Sequence, residues 1–143
     1  MRILSLALAI LMTYSVSAQR TTVFGKWKTI DDKTEKIKSI VEIYEKDGKA
    51  YGKITNLFRA PEEDQDPLCD KCKEDDERYN TKVIGMVILR DMVKDGDRWE
   101  DGNILDPDDG KIYDCKMWVE DGNLRLRGYI LFFYRTQTWL PVE

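Results

Sequence analysis

The chain has 143 residues, 35% of them charged and 42% hydrophobic, and its formal net charge is −4. This length suits one domain with a single hydrophobic core, and the acidic balance argues against nucleic acid and anionic membrane surfaces, which require a basic patch. The chain has no histidine, which excludes imidazole bases, histidine-activated nucleophiles and histidine zinc sites.

The first 18 residues have the pattern of a secretory signal peptide. Arg2 gives a positive start, an apolar run extends to Met12, and the small residues Val-Ser-Ala at 16–18 have the spacing of a cleavage site. The run is short for a bilayer span, and no later stretch reaches spanning length; a retained membrane helix is the alternative. We therefore expect residues 1–18 to be removed, which leaves an exported protein, periplasmic or secreted, with one domain over residues 22–142.

Eight segments of the chain carry strand signals, and short turns join most of them. Residues 38–46 alternate apolar and polar side chains, Asp47-Gly48 is a strong hairpin turn, and 49–58 is the return strand. The pattern Leu-Arg-Leu-Arg at 124–127 places one face of a later strand in the core and the other in water. The predicted strands are 23–30, 38–46, 49–58, 83–94, 98–106, 111–120, 123–133 and 134–142.

The spacing of these strands predicts an all-β fold. Short turns between consecutive strands give an up-and-down antiparallel order, and no stretch shows a helical period over three turns. Eight such strands can close into a barrel, which removes the exposed edges and leaves room for side chains or one small ligand. A β-sandwich is the rival, but the meander favours an eight-stranded up-and-down antiparallel barrel.

A long loop and an acidic turn interrupt the strand pattern. Residues 59–81 contain two prolines, two of the three cysteines and an acidic run at 74–77, which predicts a lid, a binding loop or a pinned segment. Around Pro107, the aspartates and Gly110 predict a tight turn. A calcium site is the alternative, but the spacing misses the calcium-loop order and lacks its bidentate glutamate. We therefore predict no metal site and no cofactor.

The three cysteines allow two disulfide pairings. Cys69 and Cys72 lie in the acidic loop, where nearby carboxylates raise the thiol pKa and argue against redox catalysis. We expect a structural Cys69–Cys72 disulfide, with a metal site or a Cys72–Cys115 bridge as alternatives. Cys115 lies on an apolar strand face and is predicted to be a buried free thiol.

Several stretches together resemble an exported bacterial domain-of-unknown-function family, number 2147. The resemblance spans nearly the whole chain after residue 18 and keeps the order of the motifs. It implies a lipocalin-like β-barrel and implies little about function. The last hairpin departs from the family pattern, because the connection between Ile130 and Arg135 is shorter. The stretches are Gly25-Lys-Trp27, Lys38–Tyr44, Cys69-Asp-Lys-Cys72, Ile84–Leu89, Gly102–Tyr113, Leu126–Ile130 and Arg135–Trp139.

The Gly25-x-Trp27 pattern also resembles the N-terminal signature of the lipocalins. In those proteins, the tryptophan packs under a basic side chain from the last strand and seals the barrel floor. The resemblance therefore implies that Arg135 lies over Trp27, where a guanidinium gains a cation–π contact.

Four residues are candidates for a ligand site inside the barrel. Arg127, Tyr129, Arg135 and Tyr113 could hold a carboxylate or phosphate. The competing interpretation is that Leu124, Leu126, Ile130 and Phe132 form the inward face while the arginines face water.

These observations predict a monomeric, exported binding or carrier module for a small, mostly apolar ligand, with the 59–81 loop over the barrel mouth. The alternative is an interaction protein with a solid core that acts through its surface and this loop. We do not expect an enzyme, because no nucleophile or carboxylate pair stands out.

Overall fold

The structure, a computed structural model, describes residue 15 and residues 18–143. The predicted signal peptide therefore lies outside the described residues, apart from Ser15 and Ala18. The described residues form a closed barrel of eight antiparallel strands, each paired with its neighbours in chain order. No helix among them is long and apolar enough to cross a membrane.

The observed strands confirm the predicted fold class and strand order. Each neighbouring pair except the closing one, between β1 and β8, is joined directly by the intervening turn or loop. The strands are β1 (Gly25–Ile30), β2 (Ile37–Lys46), β3 (Lys49–Leu57), β4 (Val87–Asp95), β5 (Arg98–Asp106), β6 (Lys111–Glu120), β7 (Asn123–Ile130) and β8 (Phe133–Pro141).

The fourth strand begins at Val87 rather than at the predicted residue 83. Gly85 has a φ of +92°, which turns the chain just before the strand. Its backbone N–H donates to the carbonyl of Ile54 at 2.7 Å, and the Met86 carbonyl accepts from Ile54 N–H at 3.0 Å. The apolar residues 83–86 thus form a turn that is bonded to β3, which a pattern of apolar residues alone cannot distinguish from a strand.

Large side chains fill the barrel interior. Strand alternation directs one face of each strand inward, as in β7, where Leu124 and Leu126 are buried between partly exposed neighbours. Trp27 and Trp139 lie at the same end, because Trp27 pairs with Pro141 across the closing strands. The largest fully buried side chains include Trp27, Trp139, Ile43, Leu89, Met92, Met117 and Leu124. The part of the interior that these residues occupy is therefore a packed core, whereas the inward-facing Ile104, Gly128 and Gln137, nearer the turn between β7 and β8, are partly exposed.

The last hairpin has a two-residue turn that the predicted strands 123–133 and 134–142 leave out. Ile130 pairs with Phe133, so Leu131 and Phe132 form the turn, and Leu131 has a φ of +48°. The prediction that Phe132 lies on the inward face is wrong, because its side chain is 98% exposed. A turn residue projects beyond the end of the barrel and cannot reach the core.

The closing seam between β1 and β8 is short. Only two residue pairs join these strands, Trp27 with Pro141 and Lys28 with Leu140. The register of β1 against β2 shifts between Thr29 and Ile30, and bulges of this kind bend a strand away from its neighbour. The seam therefore opens toward the β7–β8 turn.

Candidate functional site

Trp27 is covered by a different arginine from the one that the family resemblance implies. The guanidinium of Arg20 lies over the indole at 5.0 Å, and it donates to the carbonyls of Lys26 at 2.9 Å and Val142. The Trp27 indole N–H donates to the Val23 carbonyl at 2.7 Å. The prediction that Arg135 covers Trp27 is wrong, because the β1–β8 register pairs Trp27 with Pro141, six residues along β8.

Gly25 makes room for this arginine. Its φ is +118°, and a Cβ at this position would lie 2.8 Å from the Arg20 guanidinium. The Gly-x-Trp motif therefore has a steric explanation at the closed end of the barrel. Because Gly25 has no side chain, the Arg20 guanidinium has room to cover Trp27, two residues later. Sequence reasoning missed Arg20 because it precedes the first strand and has no periodic pattern around it.

Two of the four predicted ligand residues lie on the outside of the barrel. The burial of Leu124 and Leu126 places Arg127 and Tyr129 on the opposite face of β7. There, the Arg127 guanidinium lies 5.2 Å from the Trp118 ring and 4.4 Å from the Tyr134 ring. The prediction that these side chains line the interior is wrong, and the competing interpretation of an outward arginine face holds for β7.

The other two predicted residues, Arg135 and Tyr113, lie at the end of the barrel that carries the turn between β7 and β8, where the β1–β8 seam is open. Arg135 is paired with Asp32 at 2.8 Å, and its side chain is 67% exposed. The Tyr113 hydroxyl donates to Asp109 at 2.6 Å, a bond that raises the pKa of Tyr113 to about 12. The four candidates therefore do not converge on one cavity. Below the rim, the hydroxyls of Thr29 and Ser39 bond each other at 2.6 Å, so these buried polar groups are already satisfied.

Two grooves lie on the outer surface of the described barrel. One, of about 410 Å³, lies between the long loop and the strand residues Arg90, Asp91 and Asn103. The other, of about 330 Å³, includes Asp101, Asp114 and Lys116. Charged residues dominate both linings, so these grooves offer no apolar site.

The long loop, Phe58–Met86, packs against the outside of the barrel. Arg90 and Leu105 point outward, since Leu89 and Ile104 pair on the inward face, yet Leu105 is only 1% exposed. The Glu77 carboxylate accepts from Arg90 at 2.7 Å. The loop therefore packs against the outer side of β4 and β5, and its Lys71 also contacts Gly110 in the turn between β5 and β6, at one end of the barrel. Its position over the barrel mouth stays a prediction.

The Cys69–Cys72 disulfide is present, as predicted, and shapes this loop. Cys69 is fully buried, its N–H donates to the Thr81 carbonyl at 2.8 Å, and its carbonyl accepts from Asn80 at 2.9 Å. Cys115 is free and buried, which excludes the alternative Cys72–Cys115 bridge. Burial, with Asp114 nearby, raises the pKa of the Cys115 thiol to about 12, so this thiol is not a nucleophile at neutral pH.

Arg78 holds the loop to the barrel, and sequence reasoning missed it. The residue is 6% exposed. Its Nε and one Nη donate to both oxygens of Asp76 at 2.9 and 2.8 Å, and its other Nη donates to the Val87 carbonyl at 3.1 Å. These bonds lower the pKa of Asp76 to about 2. The acidic run at 74–77 thus contains one structural carboxylate, which its sequence of like charges conceals.

The acidic residues around Pro107 form the predicted tight turn. Asp106 accepts the Asp108 N–H on its side chain at 2.9 Å and the Gly110 N–H on its carbonyl at 2.8 Å. Burial raises the pKa of Asp106. Within residue 15 and residues 18–143, no group of three or more potential ligand side chains could hold a metal ion.

The most exposed apolar surface is the end of the last hairpin, residues Ile130–Tyr134, which we call the hairpin tip. Leu131, Phe132 and Phe133 are 91%, 98% and 77% exposed, and Ile130 and Tyr134 are 42% and 63% exposed. Five consecutive exposed apolar or aromatic residues are unusual for a protein surface and mark an interaction site. Hydrophobic patterning did not predict this site, because the same residues fit a buried strand; the short connection between Ile130 and Arg135 was the one sign that the last hairpin is unusual.

Comparisons with known proteins agree with this architecture. Residues 25–140 match a family model described as "Uncharacterized protein conserved in bacteria (DUF2147)". The barrel is similar to the structure of HP1028 from the human pathogen Helicobacter pylori, described as belonging to the lipocalin family. The two share 20% sequence identity with a TM-score of 0.72, over 87% of this chain and 85% of that one. No curated protein matches the chain.

Proposed function

The chain belongs to the bacterial family DUF2147 and has a lipocalin-like fold, and from this premise we propose that it is a non-catalytic binding module that acts through its outer surface. The observation that carries this proposal is the distribution of large apolar side chains. Trp27, Met92 and Met117 fill the interior with no exposed surface, whereas Phe132 is 98% exposed. An exposed apolar side chain such as Phe132 is suited to contact with a partner that is larger than a small molecule bound inside the barrel.

Export of the protein to the cell envelope is part of the same proposal. The signal-peptide pattern of residues 1–18 supports it, and the Cys69–Cys72 disulfide is compatible with an oxidising compartment. The described part of the chain offers no convergent nucleophile and base: its one free thiol is buried with a pKa of about 12. These features support a binding role in preference to catalysis.

A small-ligand carrier is the second candidate, because the lipocalin-like fold is compatible with binding a small ligand. In this chain, a ligand deep in the barrel would have to displace buried side chains such as Met117 and Trp139. Displacing a packed core costs several kcal/mol in lost contacts, which is why we place this candidate second.

Native mass spectrometry of the protein isolated from its source distinguishes the two candidates. We expect the folded and denatured proteins to have the same mass. The Met117→Ala variant, which opens a cavity in the core, serves as the positive control and should take up an apolar probe such as benzene. A discrete, stoichiometric ligand on the wild-type protein would refute the proposed function and favour the carrier.

A further inference from the structure

The hairpin tip has the composition of a segment that enters a lipid interface. Ile112 lies on the neighbouring strand near the tip, because Asp114 pairs with Tyr129 and the register carried two residues further brings Ile112 level with Leu131. The same side chain also lines the groove of about 410 Å³. The Ile112 side chain is itself 45% exposed. Leucine and phenylalanine at a projecting turn, with tyrosine just behind them, match the order of apolar and aromatic side chains across a membrane interface.

Basic side chains surround the tip at the level where phosphate groups would lie. Arg127 lies over the Tyr134 ring, and Arg135 follows directly in β8 with most of its side chain exposed. Both arginines have long apolar stems, so each can keep its charge at the surface while the tip enters the apolar region. A guanidinium is also the side-chain group best suited to a phosphate.

The remaining charges at this end favour a zwitterionic surface over an anionic one. Asp32 is paired with Arg135, Asp108 in the turn between β5 and β6 is paired with Lys38, and Asp109 accepts a hydrogen bond from Tyr113. The chain as a whole carries a net charge of −4, so an anionic bilayer would repel it. A zwitterionic headgroup offers its phosphate to the arginines without that repulsion.

Neither of the two grooves described above offers a matching receptor for the tip on a second copy of the chain. The two grooves on the described surface are lined mainly by charged residues, including Asp76, Glu77 and Arg90 in one and Asp101 and Lys116 in the other. Burying Phe132 against these groups would strip water from charges without pairing them, which is costly. A projecting apolar turn of this kind fits the interior of a lipid bilayer, which adapts to its shape, better than it fits either groove.

We propose that the hairpin tip inserts into the surface of a zwitterionic lipid bilayer, with Leu131 and Phe132 below the headgroups and Arg127 and Arg135 at the phosphates. This proposal rests on the proposed surface function and names its partner. The anchoring is reversible, because two or three apolar side chains hold a protein of this size at an interface only weakly.

The test is co-sedimentation of the full protein with sucrose-loaded phosphatidylcholine vesicles. Wild-type protein should bind these vesicles at least as tightly as vesicles containing phosphatidylglycerol. The double variant Leu131→Asn/Phe132→Gly should bind at least about tenfold more weakly, because it loses the inserted apolar area. This variant keeps its fold, since Asn-Gly is the preferred two-residue hairpin turn and asparagine accepts the positive φ of position 131.

A matched control and a depth measurement complete the test. Phe58→Ser removes another exposed phenylalanine, 51% exposed at the end of β3, and should leave vesicle binding unchanged. In Phe132→Trp, brominated phosphatidylcholine should quench the added fluorescence, whereas the buried Trp27 and Trp139 stay unquenched.

Three results would overturn the proposal. One is the absence of wild-type binding to phosphatidylcholine vesicles, and another is equal binding by the double variant. The third is concentration-dependent self-association of the wild type that the double variant lacks, which would make a second copy the partner. Each of these leaves the surface-acting function intact, whereas a ligand retained in the native mass spectrum refutes that function itself.

Discussion

Arg20 connects the start of the barrel to its last strand. Its guanidinium covers Trp27 and donates to the carbonyls of Lys26, in β1, and Val142, which follows β8. The short β1–β8 seam thus gains three side-chain contacts from a residue outside every strand. Such charge-assisted bonds are stronger than neutral ones.

We predict that Arg20→Ala lowers the free energy of unfolding by roughly 2 kcal/mol, through the loss of two hydrogen bonds and a cation–π contact. Arg135→Ala should cost no more than about 1 kcal/mol, because the Arg135–Asp32 pair is mainly exposed. Urea unfolding followed by tryptophan fluorescence measures both. Equal losses, or a larger loss for Arg135→Ala, would contradict the role assigned to Arg20.

Arg78 is the second residue whose replacement should strongly lower the free energy of unfolding. Replacement by alanine leaves Asp76 with neither of its guanidinium bonds and removes the bond to the Val87 carbonyl. We expect a loss of roughly 3 kcal/mol, which is typical for breaking a buried pair by removing one partner. Arg90→Ala is the matched control: its partner Glu77 is 74% exposed, so the expected loss is about 0.5 kcal/mol. Similar losses in urea unfolding would disprove the structural role of Arg78.

The same pair predicts how stability changes with pH. The folded pKa of Asp76, about 2, lies below its ordinary value of 3.8. The pair therefore contributes fully above pH 4, and this contribution is lost as the pH falls from about 4 to about 2. The stability difference between wild type and Asp76→Asn should be constant from pH 7 to 5 and should shrink below pH 4. A difference that does not change over this range would contradict the low pKa.

At the scale of elements, the long loop and the β5–β6 turn hold each other through a backbone contact. Gly110, at φ +72°, lies so close to Lys71 that a Cβ on the glycine would be 1.7 Å from the Lys71 carbonyl oxygen. Cys72, beside Lys71, is buried through its disulfide with Cys69. The disulfide therefore presents a fixed backbone segment to the turn.

We predict that Gly110→Ala costs about 2–4 kcal/mol and detaches the loop. The positive φ alone costs about 1 kcal/mol, and the overlap with Lys71 adds the rest. Gly96→Ala is the control, because Gly96 has a φ of +62° and no atom near the added Cβ, so only the φ cost applies. Limited proteolysis should cut Phe58–Met86 faster in Gly110→Ala only. Equal cleavage of both variants would show that this contact does not hold the loop.

The elements differ in how far the sequence alone could predict them. Asp-Gly turns and strict alternation are local signals, so β2, β3 and β6 begin and end within about two residues of the predicted limits. The loop contacts depend on Arg78 and Gly110. The partner of Gly110, Lys71, is distant in sequence, and the partner of Arg78, Asp76, lies in a run of like charges that hides its role. The hairpin tip was misplaced because an apolar pattern predicts burial and cannot reveal that the chain turns at Leu131 and Phe132.

At the scale of the whole molecule, the barrel is closed unevenly. All pairings between chain neighbours contain three or more residue pairs, but the β1–β8 seam contains two. In β8, the alternation of the hairpin ladder directs the backbone groups of Tyr134, Thr136 and Thr138 toward β1. Within the described strands, no β1 residue pairs with these three positions.

Hydrogen exchange should show this asymmetry residue by residue. We predict that the amides of Tyr134, Thr136 and Thr138 exchange quickly, while those of Arg135 and Gln137, which face β7, are protected. Leu140, which pairs with Lys28, should also be protected. Nuclear magnetic resonance at residue resolution makes the measurement. Uniform protection along β8 would mean that β1 and β8 pair over their whole length.

The uneven seam also has a consequence for how the chain folds. Seven of the eight strand pairings join neighbours in sequence, and six of these close over very short connections, so they can form early and locally. The pairing of Trp27 with Pro141 must instead bring together positions from opposite ends of the domain, which carries the largest loop-closure entropy of any pairing in the fold. We therefore expect an open, curved sheet to precede the barrel, and the Arg20 contacts to form only as the ring closes.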